Sequence, residues 1–226
     1  MAHPVAITCE IFQVGGQELT AAEDAAIYAL AFQGRAALVD VGAGRGQRRL
    51  LHHLAAVGIL PEHIEMLLLT HCHFDHAGGA CDLRQTLGCP VVVHTLDADF
   101  LERGDNEVTA ASWYGAKITP CPVDCRLDGA QHALALGDRT ITALHIPGHS
   151  PGSLVYVTES ESQIVLFGQD IHGPLDARLH SNRADYRASL QRLLALEADI
   201  LCEGHYGIVR GKAAVAAFIR SFLDTA

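Results

Sequence analysis

Six consecutive residues, His71-Cys72-His73-Phe74-Asp75-His76, restrict this chain more than any other feature. Three imidazoles and a carboxylate follow directly on the apolar run Ile64-Glu65-Met66-Leu67-Leu68-Leu69, which reads as a buried strand. The cluster therefore sits where a strand ends and a loop begins. Imidazole and carboxylate are the ligands of zinc and similar borderline ions, and four of them this close do not all fit one tetrahedral ion. Two neighbouring metals account for the crowding. Cys72 and Phe74 alternate with the ligands and are expected to point away from them into packing.

Further ligands come in order along the chain. His149 lies in Pro147-Gly148-His149-Ser150-Pro151-Gly152, Asp170 in Phe167-Gly168-Gln169-Asp170, and His205 in Cys202-Glu203-Gly204-His205. Each follows a short apolar run and is flanked by glycine, the pattern of a strand, a tight turn and a side chain aimed over a sheet edge. With His71, His73, Asp75 and His76 they make seven ligands, enough for two metals that share one carboxylate.

These motifs resemble the metallo-β-lactamase-fold superfamily, particularly its glyoxalase II-like and lactonase-like hydrolases. The resemblance runs from the N-terminal strands through Tyr206. It implies an α+β chain folded as a four-layer αββα sandwich. It also implies that His71, His73 and His149 bind the first metal, that Asp75, His76 and His205 bind the second, and that Asp170 bridges them. Two divalent ions are expected, zinc first, with iron or manganese as alternatives. A hydroxide between such ions is available at neutral pH and attacks a carbonyl that the ions polarise. Asp75 is the expected catalytic carboxylate, accepting a hydrogen bond from that hydroxide. Asp40, at a strand end, matches an acidic residue of the superfamily that orients the ligands. The expected activity is hydrolysis of a small ester, thioester or lactone.

One alternative on the same scaffold is a persulfide dioxygenase-like enzyme with a single iron on His71, His149 and Asp170. His73 in place of Glu argues against the flavodiiron branch. Glyoxalase II-like enzymes carry a glutathione-holding helical domain after the last metal histidine, whereas 21 residues follow His205 here. Compact acyl substrates are thus expected to be preferred over glutathione thioesters. Gly42-Ala43-Gly44-Arg45-Gly46 lacks a P-loop ending. That glycine run reads as a flexible loop at the mouth of the site. Cys121 and Cys125 have no second pair for a structural zinc, leaving a redox pair as their functional option.

The periodicities predict strands at 5–14, 26–32, 36–41, 64–69, 90–94, 140–146, 153–157, 163–167 and 199–202. Helices are predicted at 47–57, 78–87, 95–102, 184–196 and 212–223, with Thr95 as an N-cap. Residues 103–127 show no clear period and read as a functional loop bearing Trp113 and Tyr114. Two sets of strands with helices between and after them suit two packed sheets flanked by helices, in one domain over 1–226. His145, His172, His180 and Ser181-Asn182-Arg183 are further candidates for substrate contact. Net charge is -10 with no basic-aromatic interleaving, which argues against nucleic acid. No apolar run is long enough for a bilayer, and the start Met1-Ala2-His3-Pro4 does not read as a signal peptide. Seven cysteines without framework spacing fit a reducing cytoplasm. The expected partner is a small-molecule substrate, with no membrane partner; oligomeric state is left open.

Overall fold

The computed structural model describes residues 2–223; Met1 and 224–226, parts of the expected start and of the 1–226 domain, lie outside the described residues. Strands β1 (Val5–Ala6), β2 (Ile11–Gly15), β3 (Ile27–Phe32), β4 (Arg35–Val39), β5 (Ile64–Leu68), β6 (Val91–His94) and β7 (Cys125–Leu127) form one sheet in chain order. The second sheet contains β8 (Gln131–Leu136), β9 (Arg139–His145), β10 (Leu154–Ser160), β11 (Gln163–Phe167), β12 (Ile200–Cys202) and β13 (Ile208–Arg210). Helices α1 (Gln47–Ala56), α2 (Phe74–Ala77), α3 (Ala80–Leu87) and α4 (Thr95–Arg103) belong to the first half, and α5 (Arg183–Leu194) and α6 (Lys212–Leu223) to the second.

Period-2 alternation divides the strand side chains between layers. Ala36 and Leu38 of β4 face Leu50, Leu54, Leu83 and Leu101 on the helices, while Ala37 and Val39 face the other sheet. On β11, Val165 and Phe167 enter the intersheet core and Leu166 packs under α5 and α6 with Leu190 and Ile219. The layers run helix, sheet, sheet, helix, as expected. Tyr28, Phe32, Tyr156 and Phe167 are the largest side chains buried between the sheets. Each such aromatic contributes about 2–3 kcal/mol by burial.

Two of these rings also tie the sheets together at the site. Tyr28 of β3 donates its hydroxyl to Glu203 O across the core (2.8 Å), and Tyr156 of β10 donates to Leu69 O (2.9 Å). Each tyrosine thus holds a ligand-bearing strand end of the opposite sheet. Strands β4 to β7 run parallel, as do β11 and β12, so the ends of β4 and β5 and those of β11 and β12 gather their loops along one edge.

Several expectations change. The 5–14 segment is two strands joined by a turn, because Ile7 N and Thr8 N both bond Ile11 O. His94, not Thr95, caps α4 by accepting from Leu96 N (3.3 Å). The 103–127 segment ends in β7, and β8 and β13 were not anticipated. The Gly42–Gly46 run is not a loose flap: Ala43 N bonds Asp24, and Gly44 packs against the Gly79 backbone.

Candidate metal centre

All seven predicted ligands converge at that edge. His71 and His73 lie in the loop after β5, Asp75 and His76 on α2, His149 in the loop after β9, and Asp170 and His205 after β11 and β12. Donor atoms of His71, His73, His149 and Asp170 lie within 4.8 Å of one another, as do those of Asp75, His76 and His205. The two groups meet at Asp170. Its Oδ2 is 3.2 Å from His149 Nε2 and 3.7 Å from His71 Nε2. Its Oδ1 is 3.2 Å from His76 Nε2 and 3.3 Å from His205 Nε2.

Hydrogen bonds on the far side of the rings fix which nitrogen faces inward. Asp40, fully buried, accepts from His76 Nδ1 (2.7 Å), Thr70 Oγ1 (2.8 Å) and Thr70 N (2.8 Å). Since the Thr70 hydroxyl donates to Asp40, it accepts from His71 Nδ1 (2.9 Å). His149 Nδ1 donates to Pro174 O (2.8 Å). Each Nε2 is therefore left as a lone-pair donor. Inside the cluster, His71 Nε2, His76 Nε2 and Asp170 Oδ1 are buried without a hydrogen-bond partner among the described residues. Atoms of this kind are costly to bury alone, and a divalent cation satisfies them. The residues present fit such a group. Asp40 and Asp170 both take positive φ, 57° and 47°, a conformation uncommon for residues other than glycine that here turns both carboxylates into the site. Gly204 leaves room for Asp170: a Cβ there would lie 2.6 Å from Gln169 Oε1, 2.9 Å from Asp170 Oδ1 and 3.1 Å from His76 Cε1.

Electrostatics divide the imidazoles. Burial holds His71 well below its ordinary range and His73 down at about 3. Burial also opposes charge on His76 and His205, but the carboxylates win there. Asp170, Asp75 and Asp40 carry His76 well above the imidazole range, and Asp170 and Asp75 lift His205 to about 10. Burial would raise Asp170 and Asp75 too, yet the adjacent His76 holds both ionised, Asp170 the more strongly. Ionised carboxylates beside neutral His71 and His73 are a donor set for cations, and a bound cation would take the place of the protons on His76 and His205.

The centre opens into a cleft of about 210 Å³ lined by Trp113, Tyr114, His172, Pro174 and Leu179 besides the ligands. The 3₁₀ turn Ala111–Tyr114 puts both aromatics there, as the unpatterned loop led one to expect. Burial, and then the Asp75 carboxylate, push the Tyr114 hydroxyl up. His172 also lines the cleft, with Nδ1 2.6 Å from buried Glu203. His145 instead stacks on His94 (3.8 Å) and His180 packs against Phe100. Ser181 and Asn182 are structural, bonding His149 O and capping α5, and Arg183 is an exposed helix-start residue. Cys72 and Phe74 are buried as expected, and all seven cysteines are free thiols.

Sequence reasoning missed three supports. Thr70 links Asp40 to His71. Glu203 accepts from His205 N (2.7 Å) and Tyr206 N (3.0 Å). Asp97 accepts from Cys72 N (3.0 Å), Ser150 Oγ (2.7 Å) and Gly152 N (2.6 Å), tying the His71–His76 and His149 loops together. For Thr70 the signal was a lone hydroxyl directly before the first ligand.

A buried cluster of histidines and aspartates at the shared edge of an αββα sandwich fits a divalent-metal centre. The chain belongs to the metallo-β-lactamase superfamily, whose family model matches residues 22–205. It is 33% identical over 195 residues to the acyl-coenzyme A thioesterase MBLAC2 of Gallus gallus (74% of this chain, 68% of that protein). It is 30% identical over 184 residues to the MBLAC2 of Homo sapiens (70% of this chain, 63% of that protein). The chain thus spans about two thirds of the length of these relatives. In fold it is similar to a metallo-β-lactamase of Cronobacter sakazakii, with a TM-score of 0.83 at 21% identity, covering 100% of this chain and 95% of that one. The expected family, sandwich and hydrolase class are borne out. The persulfide dioxygenase alternative draws no support from these relatives. Among the described residues no helix is long and apolar enough to cross a membrane.

Proposed function

We propose that this chain is a metal-dependent hydrolase of acyl thioesters. His71, His73 and His149 hold one divalent ion, Asp75, His76 and His205 a second, and Asp170 serves both; zinc is the first choice. The observation that carries the reading is the meeting of two separate donor groups at a single buried carboxylate. The thioester, rather than an ester or lactone, is favoured by the MBLAC2 relatives. Divalent ions in such a site lower the pKa of water and polarise a carbonyl oxygen.

The chain's own groups orient the reaction. Asp75 Oδ2, 3.2 Å from His205 Nε2 and 3.5 Å from His76 Nε2, lines the cleft and accepts a hydrogen bond from the attacking water. Trp113 and Tyr114 close one wall of the cleft and limit the water that reaches the scissile bond. Asp40 and Thr70 keep His76 and His71 from rotating as charge develops. One domain over 1–226 and a reducing cytoplasmic setting complete the proposal, the latter supported by the free thiols.

Metal analysis and an acyl-thioester assay test it together. About two divalent equivalents and activity abolished by a chelator and restored by zinc are expected. His76→Ala should lose the second equivalent and most turnover. A single iron with oxygen uptake on a persulfide, or full activity in His76→Ala, would overturn the assignment.

A further inference from the structure

Three of the chain's 16 Lys and Arg residues stand within Arg45-Gly46-Gln47-Arg48-Arg49, although its net charge is -10. Helix α1 buries Leu50, His53 and Leu54, and its first turn holds no acidic residue. The three arginines are exposed. Arg45, Arg48 and Arg49 line a hollow of about 330 Å³ with Thr20 and Ala21. Arg48 and Arg49 also wall an adjoining hollow of about 540 Å³ with Leu19 and His52. The two hollows share a guanidinium wall and make one groove. Two carboxylates border it: Glu23, paired with Arg45, and Glu18. Arg49 Nη1 donates to Thr20 O (3.0 Å), and the residue stays exposed. Arg48 makes no ion pair among the described residues, so the groove keeps a surplus of positive charge.

One short segment connects this groove to the reaction site. Thr20 O meets Arg49, Glu23 meets Arg45, Ala25 N donates to Asp75 O (3.1 Å) and Ala26 N to Gly204 O (2.9 Å). The five residue steps from Thr20 to Ala25 cover at most about 17 Å. A thioester carried on a long flexible arm spans that interval. Guanidinium groups match phosphate oxygens by paired, charge-assisted hydrogen bonds.

We infer that the Arg45, Arg48 and Arg49 groove binds the phosphate-bearing head of the thiol carrier while its thioester lies at the metal centre. The substrate class is accordingly an acyl thioester of a nucleotide-phosphate carrier such as coenzyme A. This rests on the thioesterase reading above, and the test separates the two.

The zinc-loaded chain is assayed with one acyl group on coenzyme A and on N-acetylcysteamine, which lacks the phosphates. Arg48→Ala and Arg45→Ala/Arg48→Ala are measured beside it. The ratio of kcat/KM for the coenzyme A thioester over the short one should fall roughly tenfold in the double variant, through KM, with Arg48→Lys restoring much of it. Calorimetric titration with coenzyme A lacking its thiol reads the groove without turnover. Binding that weakens by a similar factor in the double variant is expected. An unchanged ratio, or no binding of the thiol-free carrier by the unaltered chain, overturns the groove and leaves the thioesterase reading intact. If neither thioester is hydrolysed, the thioesterase reading falls, and the titration still decides the groove.

Discussion

Replacing Asp40 by Asn tests how the site is held, because the change keeps the side chain's shape and removes its charge. Asp40 accepts three hydrogen bonds, from His76 Nδ1, Thr70 Oγ1 and Thr70 N. An amide oxygen still serves Thr70 N, but its NH₂ then faces donors at the other two. Hydrogen bonds to a charged group are worth about 1.5–3 kcal/mol each, though losses within one network do not add. Partners of this kind typically change metal affinity about 10–100-fold. That range equals about 1.4–2.7 kcal/mol, in line with one such bond. Because Asp40 reaches His76 directly and His71 through Thr70, both zinc equivalents should weaken. Thr70→Val, which spares the His76 bond, should weaken mainly the ion on His71. Competition against a fluorescent chelator measures both affinities, and thermal unfolding of the metal-free proteins shows whether the fold itself has suffered. Affinities within twofold of the unaltered chain for both ions would refute the reasoning.

Gly204→Ala should lower zinc occupancy and destabilise the chain by about 1–3 kcal/mol, since its methyl group meets Asp170 and Gln169; elemental analysis and denaturant unfolding check this. Asp97→Ala strands buried donors on two ligand loops, and a loss on the order of 3 kcal/mol in urea unfolding is expected. His94 is held down at about 4, first by burial and then by His145. The unfolded chain, with an ordinary imidazole near 6.5, binds that proton first, so His94 contributes stability present above pH 6.5 and lost as pH falls toward 4. His94→Asn keeps a cap acceptor without a titrating group. Metal-free unfolding curves should then lose less stability between pH 7 and 5 than those of the unaltered chain, by about 2 kcal/mol.

The ligands were legible because each is an ionisable residue set just after an apolar run, a place where chance rarely puts several. The helices were legible for a similar reason: Leu50, Leu51 and Leu54 repeat at helical spacing. What escaped notice were groups whose role depends on the other half of the chain. Thr70 reads as one more strand residue until Asp40 is beside it, and Asp97 reads as an ordinary acid in a helix's first turn until Gly152 approaches. Strand β8 alternates exposed and half-buried residues, with alanine among them, so its period is faint. Its hairpin with β9 turns on Gly137-Asp138, a two-residue signal that was there to be used. The loop at 42–46 misled because glycine suits mobility and close packing equally, and only the facing Gly79 decides between them.

Tyr28 and Tyr156 bear on the order in which this molecule comes into being. The first sheet uses residues up to Leu127 and supplies His71, His73, Asp75 and His76; the second begins at Gln131 and supplies His149, Asp170 and His205. A nascent chain with only its first sheet made has four ligands but no Tyr156 to fix Leu69 and no Glu203 for Tyr28 to hold. Under the proposed assignment the full set of seven ligands would exist only once the two halves have docked in register. Retention of ions against a weak chelator would then report on the docking of the two halves before any substrate is offered.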